Sequence, residues 1–264
     1  MCVCPHTEFP VEPRLSKVLL ASFDFHCTEE VLTIVAMLQV RVFVLWISTY
    51  AGTMRCCARL VHPSIPHKLP PQVQNLWANP KGRDNKEAQE EAQAALARKE
   101  GDHLTLLHVY TQFDELGGAD ARREWCQDRF LNYRSLVRAG EIRGQLRRYI
   151  ERYKPPGAVL ASCCEDTVAL RKCLVAGFFF NAARLKSDGR YYTVRGNHPV
   201  ALHPTSVLAK YGAPPEWVVY HDVVLTTQEY LRDCVKIRPQ WLMELAPHFY
   251  QFRGGVGGGG GGGV

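Results

Sequence analysis

Apolar positions recur at helical spacing through roughly the first 150 residues and at strand-like spacing after them. Between Pro13 and Phe25, Leu15, Val18, Leu19 and Phe23 share one side of a short helix. A second helix is expected from Thr28, which can cap it, with Glu29 and Glu30 in its first turn and an end near Val40. From Arg41 to Asn85 the period fails. Trp46, Cys56, Cys57 and five prolines (Pro63, Pro66, Pro70, Pro71, Pro80) predict irregular chain there. Order returns with the Ala/Glu/Gln-rich run from Lys86 to Lys99, which predicts a helix. Gly101-Asp102 interrupts it, and Asp102 is placed to cap a new helix running to Leu116, closed by Gly117-Gly118. A short helix is expected over Arg122–Phe130. A longer one, Arg134 to Tyr153, puts Ile142, Leu146, Tyr149, Ile150 and Tyr153 in one arc and Arg134, Arg138, Gln145, Arg148 and Arg152 opposite. Pro155-Pro156-Gly157 ends it.

After one more short helix over Thr167–Leu174 the grammar changes. Gly177–Leu185, Tyr191–Arg195, Val200–Leu208, Trp217–Leu225 and Tyr230–Ile237 are rich in Phe, Tyr, Val and Leu. The turn signals Ser187-Asp188-Gly189, Gly196-Asn197-His198-Pro199 and Gly212-Ala213-Pro214-Pro215 separate them. Five short strands suit a small closed or partly open barrel such as an OB-fold. Trp241–Ala246 reads as a final helical turn, and the glycine tract from Gly254 to Gly263 as a flexible tail. The expected class is thus α+β: a helical bundle followed by a five-stranded antiparallel barrel. Its divisions are helical residues 1–40, an irregular 41–85, helices over 86–156, a barrel over 165–250 and a tail over 251–264.

With 264 residues and 46% apolar content, the chain can bury one large core or two small ones. A net charge of +6 permits nucleic-acid binding without demanding it, so the placement of the charge matters more than its sum. Met1–Pro10 has no basic n-region followed by an apolar core, so no secretory signal is expected. The stretch Val31–Ala51 is long enough to span a bilayer, but Gln39 and Arg41 stand at its centre, and a buried helix is the expected reading, with no membrane partner. Ten cysteines include no C-x-x-C pair. Cys2, Cys4 and His6, or Cys56, Cys57, His62 and His67, lack zinc-site spacing; no metal is expected, and the thiols are read as free and reduced.

The sequence contains no phosphate-cradling G-x-x-x-x-G-K-[ST] loop, no G-x-S-x-G elbow and no H-E-x-x-H helix. No catalytic residue and no cofactor of its own is therefore assigned. What remains is chemistry that binds. The basic face from Arg134 through Arg138 and Arg148 to Arg152 can track phosphates, since guanidinium forks match phosphate oxygens; the alternative is an ordinary solvated polar face. The barrel segment adds Arg171, Lys172, Arg184, Lys186, Arg190 and Arg195 among Tyr191, Tyr192 and Phe178–Phe180. Basic residues interleaved with aromatics suit single-strand binding, although strand aromatics also build cores. His203 and Ser206 can donate to a phosphate or ribose.

Several phrases, in order, resemble the C-terminal region of DEAH-box RNA helicases: EFPVEPRLSKVLLAS from Glu8, CTEEVLTIVAML from Cys27, EGDHLTLLHVY from Glu100 and EWCQDRFLNYRSLVRAGEIRGQL from Glu124. In the barrel they are GFFFNAARL from Gly177, HPTSVL from His203, PPEWVVYHDVVLTT from Pro214 and YLRDCVKIRPQWLMELAPHFY from Tyr230. Met1–Thr7 and about Arg41–Asn85 match nothing in that pattern. The resemblance implies a helicase-associated ratchet-like bundle and an OB-fold that close over single-stranded RNA beside a motor using ATP and Mg, whose motifs this sequence does not carry. It implies Arg134, Arg138, Arg148, Arg152, Arg184, Tyr192, Arg195, His203 and Ser206 as RNA-side positions. It further implies activating partners of the glycine-patch type, spliceosomal proteins, and a place in the nucleus, with the cytoplasm second. Two other readings stay open: a motorless module that competes for helicase partners, and a partly folded product of an aberrant transcript.

Overall fold

The computed structural model describes residues 11–50, 76–78, 83–226 and 228–250, with side chains of 41–50 and 83–84 left aside. In chain order the elements are α1 (Pro13–Ala21), α2 (Thr28–Tyr50), α3 (Arg83–Leu96), α4 (Asp102–Glu115), α5 (Ala119–Asp128), α6 (Tyr133–Tyr153) and α7 (Thr167–Phe178). Then follow β1 (Ala182–Leu185), β2 (Tyr191–Thr193), β3 (Pro199–Leu202), α8 (Val207–Lys210), β4 (Trp217–Leu225), β5 (Glu229–Lys236) and α9 (Pro239–Leu245). They form two compact units, one of Met1–Val31, Ala97–Thr105 and Pro155–Val264, the other of Leu32–Leu96 and Leu106–Lys154.

The second unit is helical. Leu32, Ile34, Val35, Ala36, Met37, Leu38 and Val40 of α2 are all buried, so this stretch of the helix is surrounded on every side. Among the described residues no helix is long and apolar enough to cross a membrane. The helix does not stop near Val40 as expected but continues to Tyr50, because no glycine or proline interrupts the chain before Gly52. α6 follows its expected arcs in part: Leu146 and Ile150 are buried while Ile142, Tyr149 and Tyr153 are half-buried, Leu136 and Ala139 add to the buried side, and of the polar side Arg134, Gln145, Arg148 and Arg152 are exposed but Arg138 is half-buried. Asn132 caps it by accepting from the backbone N–H groups of Arg134 (3.1 Å) and Ser135 (3.3 Å). Gly140 lets α4 lie close, since a Cβ there would meet the Tyr110 hydroxyl at 3.0 Å. Part of the stretch expected to be irregular is paired: Trp77 bridges Leu131, and the Ala78 N–H donates to the Phe130 carbonyl at 2.7 Å.

The first unit is built on a closed barrel with strand order β1-β2-β3-β5-β4. The antiparallel expectation fails at one seam, where β3 and β5 run parallel, pairing Ala201 with Tyr230 and Leu202 with Leu231. A ring of five strands cannot alternate direction all the way round, so closure imposes one parallel pair. Ala183, Tyr191, Val200, Leu208, Val218, Tyr220, Leu231 and Cys234 fill the interior. Three expected strands are shorter than their runs, β2 by the two residues after Thr193 and two others by more. Gly177–Asn181 belongs to the end of α7 and its turn, because Asp166 caps α7 through Val168 and Ala169 and the helix runs on through Phe178. Gly177 is required there: a Cβ would stand 2.1 Å from Val18 Cγ2 of α1. Likewise β3 ends at Leu202, before Pro204, and Ser206 caps α8 instead of continuing the strand.

Two expected caps are replaced by longer-range contacts. Thr28 Oγ1 is buried without a hydrogen-bond partner. The start of α2 is instead held by Glu30, whose carboxylate accepts from the Ser162 hydroxyl and the Cys163 N–H, and by the Glu29 N–H donating to Ala161. Asp102 does not turn its carboxylate back onto α4. It accepts from the Ser206 hydroxyl (2.7 Å), the Val207 N–H (2.7 Å) and the Cys234 N–H (2.8 Å). The segment before it is stitched to β5: Gly101 bridges Val235, and the Lys236 N–H donates to Glu100.

Candidate nucleic-acid interface

Strand alternation decides which barrel side chains face solvent. Ala183, Tyr191 and Val218 point inward, so their neighbours Arg184, Tyr192 and Trp217 point outward. Register then aligns them across three strands: Arg184 pairs with Tyr192 on one side and with Trp217 on the other, and Tyr192 with Pro199. Each ring carries a cation. The Lys186 ammonium lies 3.9 Å from the Tyr192 ring centroid, and the Arg184 guanidinium 5.4 Å from that of Trp217. The pieces are pinned. Tyr192 donates its hydroxyl to Asp188 at 2.7 Å, Lys186 donates to Asn197 at 2.8 Å, and Arg184 contacts Glu216 through Nε (3.2 Å) and Nη2 (3.1 Å). The hydrogen bond from Tyr192 holds the Asp188 carboxyl below its ordinary range, and Asp188 in turn raises the Tyr192 phenol. Arg190 and Arg195 are exposed on the same β1–β2–β3 turns.

The other barrel candidates separate into outside and inside. His203 is half-buried; its Nδ1 pairs with the Thr205 hydroxyl at 2.7 Å and its ring packs on Tyr230. Ser206 is buried at 3% exposure and its hydroxyl is committed to Asp102, so it holds the fold and is not offered to a ligand. Tyr191 is inward, donating to the Pro215 carbonyl, and burial raises its phenol. Phe178 and Phe179 are core residues. Arg171 and Lys172 are taken by Trp241 and Glu244 respectively.

In the helical unit, Arg134 and Arg148 stand exposed on α6, and Arg152 lies 5.5 Å from the Tyr153 ring. Arg138 is half-buried and paired with Glu141 at 2.5 Å, while Arg147 pairs with Glu151 at 3.3 Å. The outward face of α6 is therefore less cationic than a count of its arginines suggests. Among the described residues, no group of three or more His, Cys, Asp or Glu side chains could hold a metal ion. The candidate sets Cys2/Cys4/His6 and Cys56/Cys57/His62/His67 lie outside the described residues. Trp217 was not among the sequence candidates; the signal that finds it is strand alternation counted outward from Val218.

This geometry sits in regions that match known families. Residues 170–250 match the oligonucleotide/oligosaccharide-binding (OB)-fold model, and residues 12–106 match the ratchet-like helicase associated domain (HA2), a range that runs through 41–85. The chain is 36% identical over 244 residues to the probable ATP-dependent RNA helicase DHX35 of Homo sapiens, covering 92% of this chain and 29% of that protein. A similar match to DHX35 of Pongo abelii is also 36% identical and covers 28% of that protein. The pre-mRNA-splicing factor ATP-dependent RNA helicase prp22 of Schizosaccharomyces pombe is 34% identical over 246 residues, 93% of this chain and 17% of that protein. The chain thus spans less than a third of each of these relatives. Over its helicase-associated and OB-fold regions, it belongs to the C-terminal part of the DEAH-box RNA helicase family.

Proposed function

We propose that this region is the RNA-binding accessory part of a DEAH-box ATP-dependent RNA helicase, guiding single-stranded RNA beside a motor whose ATP and Mg chemistry this sequence does not encode. The observation that carries the reading is the gathering of Arg184, Lys186, Arg190 and Arg195 on the β1–β2–β3 side of a barrel of the oligonucleotide-binding type. Phosphates neutralised there release counterions, which makes affinity steep in salt and tolerant of sequence. Arg134 and Arg148 on α6 offer a second set of guanidinium forks. The splicing relative supports a nuclear setting and spliceosomal company.

The test is anisotropy of a labelled single-stranded oligoribonucleotide with the full chain. The double change Lys186→Glu and Arg190→Glu should weaken binding at least about tenfold while the melting temperature holds, because both side chains are exposed. Unchanged affinity would remove the barrel from the RNA path. A protein-docking reading, with an activator of the glycine-patch type, is favoured by one observation. Phe180 (41% exposed) and Phe249 (36% exposed) pack together at 4.6 Å between centroids on the surface. Partner binding that survives the double change but is lost in Phe249→Ala would favour that reading.

A further inference from the structure

The β1–β2 turn puts a hydroxyl in the middle of the barrel's basic side. Ser187 is exposed at the tip of this turn, which is closed by the Lys186 N–H donating to Arg190 (2.9 Å) and the Gly189 N–H donating to Lys186 (3.0 Å). Other hydroxyls of the barrel are engaged: Thr193 donates to the Arg195 carbonyl (2.8 Å), Thr205 pairs with His203 (2.7 Å) and Ser206 donates to Asp102 (2.7 Å). The chain before the turn reads Arg184-Leu185-Lys186-Ser187, with a guanidinium three residues ahead of the serine and an ammonium directly ahead of it. Arg184 lies on the extended β1 and its side chain is 55% exposed, so it is open to a second protein. An enzyme whose peptide cleft is lined with carboxylates reads such a pair of cations through charge-assisted hydrogen bonds.

The same turn decides what a phosphate there would do. Arg184, Lys186, Arg190 and Arg195 bring four positive charges. Glu216, on Arg184, and Asp188, which accepts from the Arg190 N–H at 3.0 Å, bring two negative ones, which leaves a surplus of two. A phosphoserine carries about −1.5 to −2 near pH 7, so it cancels that surplus from within. RNA phosphates then meet a neutral surface with few counterions to release.

Resting on the RNA-binding reading above, we infer that Ser187 is a phosphorylation site for a protein kinase that selects basic residues ahead of serine, and that its phosphate closes the barrel's basic side to RNA. The co-reactant is ATP. The Ser187 Oγ–phosphorus bond forms as the bond from the γ-phosphorus to the β–γ bridging oxygen breaks, ADP leaves, and the hydroxyl proton passes to solvent.

The experiment treats the full chain and its Ser187→Ala variant with ATP, Mg and the catalytic subunit of a cyclic-AMP-dependent protein kinase. Tandem mass spectrometry locates the phosphate, and anisotropy of a labelled uridine decamer across a salt series reads RNA binding before and after treatment. Ser187 should be modified. The phosphorylated chain should bind at least about tenfold more weakly, with its log–log salt slope flattened, while treated Ser187→Ala binds as the untreated chain does. If phosphorylation lowers the melting temperature, Ser187→Glu serves instead: it should weaken binding about threefold or more with the melt unchanged, and unaltered affinity there overturns the inference. An unmodified Ser187, or a phosphorylated chain that keeps its affinity and slope, also overturns it and leaves the RNA-binding reading standing on the untreated chain. If the untreated chain binds no RNA, that reading falls and takes the switch with it, whether or not Ser187 is modified.

Discussion

At the scale of single residues, Asp102 carries more of the first unit than any surface charge. It is buried, and its carboxyl is pushed up to about 6 from an ordinary 3.8, chiefly by burial and then by Asp233; its bonds from Ser206, Cys234 and Val207 pull the other way. The native chain keeps this proton to a higher pH than the unfolded chain does. Between about pH 4 and pH 6 the native state therefore binds more protons, and stability falls as pH rises through that window, on the order of 3 kcal/mol at most. Urea melts of wild type and Asp102→Asn across pH 4–7 check this: the slope in that window should flatten in the variant. Asp102→Ala should cost about 3 kcal/mol or more, since it strands the Cys234 and Val207 N–H groups and the Ser206 hydroxyl. Gly101 stands beside it at φ +131, and a Cβ there would lie 2.3 Å from the Cys234 carbonyl oxygen, a backbone atom that cannot swing away. Gly101→Ala should lower the melting temperature as severely as Asp102→Ala does. None of this was legible in the sequence. Gly101-Asp102 reads locally as a helix break and a cap, while Asp102's partners lie 104, 105 and 132 residues away.

At the scale of elements, helices were readable where period and breakers agreed. α6 is the clearest case. Its Leu146–Ile150 side, the exposure of Arg134, Arg148 and Arg152 and its end before Pro155 follow from spacing; its cap residue Asn132 and the buried Leu136 and Ala139 do not. Asn132→Ala should cost about 1 kcal/mol, seen as a lower denaturation midpoint with RNA affinity unaltered. The strands were harder. The Phe178–Phe180 run has strand composition, yet it closes a helix, because Gly177 must pack against Val18 of α1 and that contact is invisible in the local pattern. The site was legible in type more than in membership. Arg184 and Tyr192 face outward together, whereas Ser206 is inside and Arg138 is tied to Glu141. Charge reversal on α6 is therefore better tried at Arg134 and Arg148, both exposed, than at Arg138. Arg134→Glu with Arg148→Glu should weaken RNA binding several-fold at unchanged melting temperature if this face follows phosphates.

At the scale of the whole molecule, the match to the ratchet-like helicase associated domain over residues 12–106 runs through both compact units, whereas the oligonucleotide/oligosaccharide-binding match over 170–250 lies within the first. The cations gathered on the outward side of an oligonucleotide-binding-type barrel make binding the chemistry to test first. The most direct measurement is the affinity of the full chain for a single-stranded oligoribonucleotide as a function of salt. Three or four phosphates neutralised at Arg184, Lys186, Arg190 and Arg195 should give a log–log slope of about −2 to −3, flattened when Lys186 and Arg190 are reversed. Binding that ignores salt, or no binding at low salt, would contradict the account.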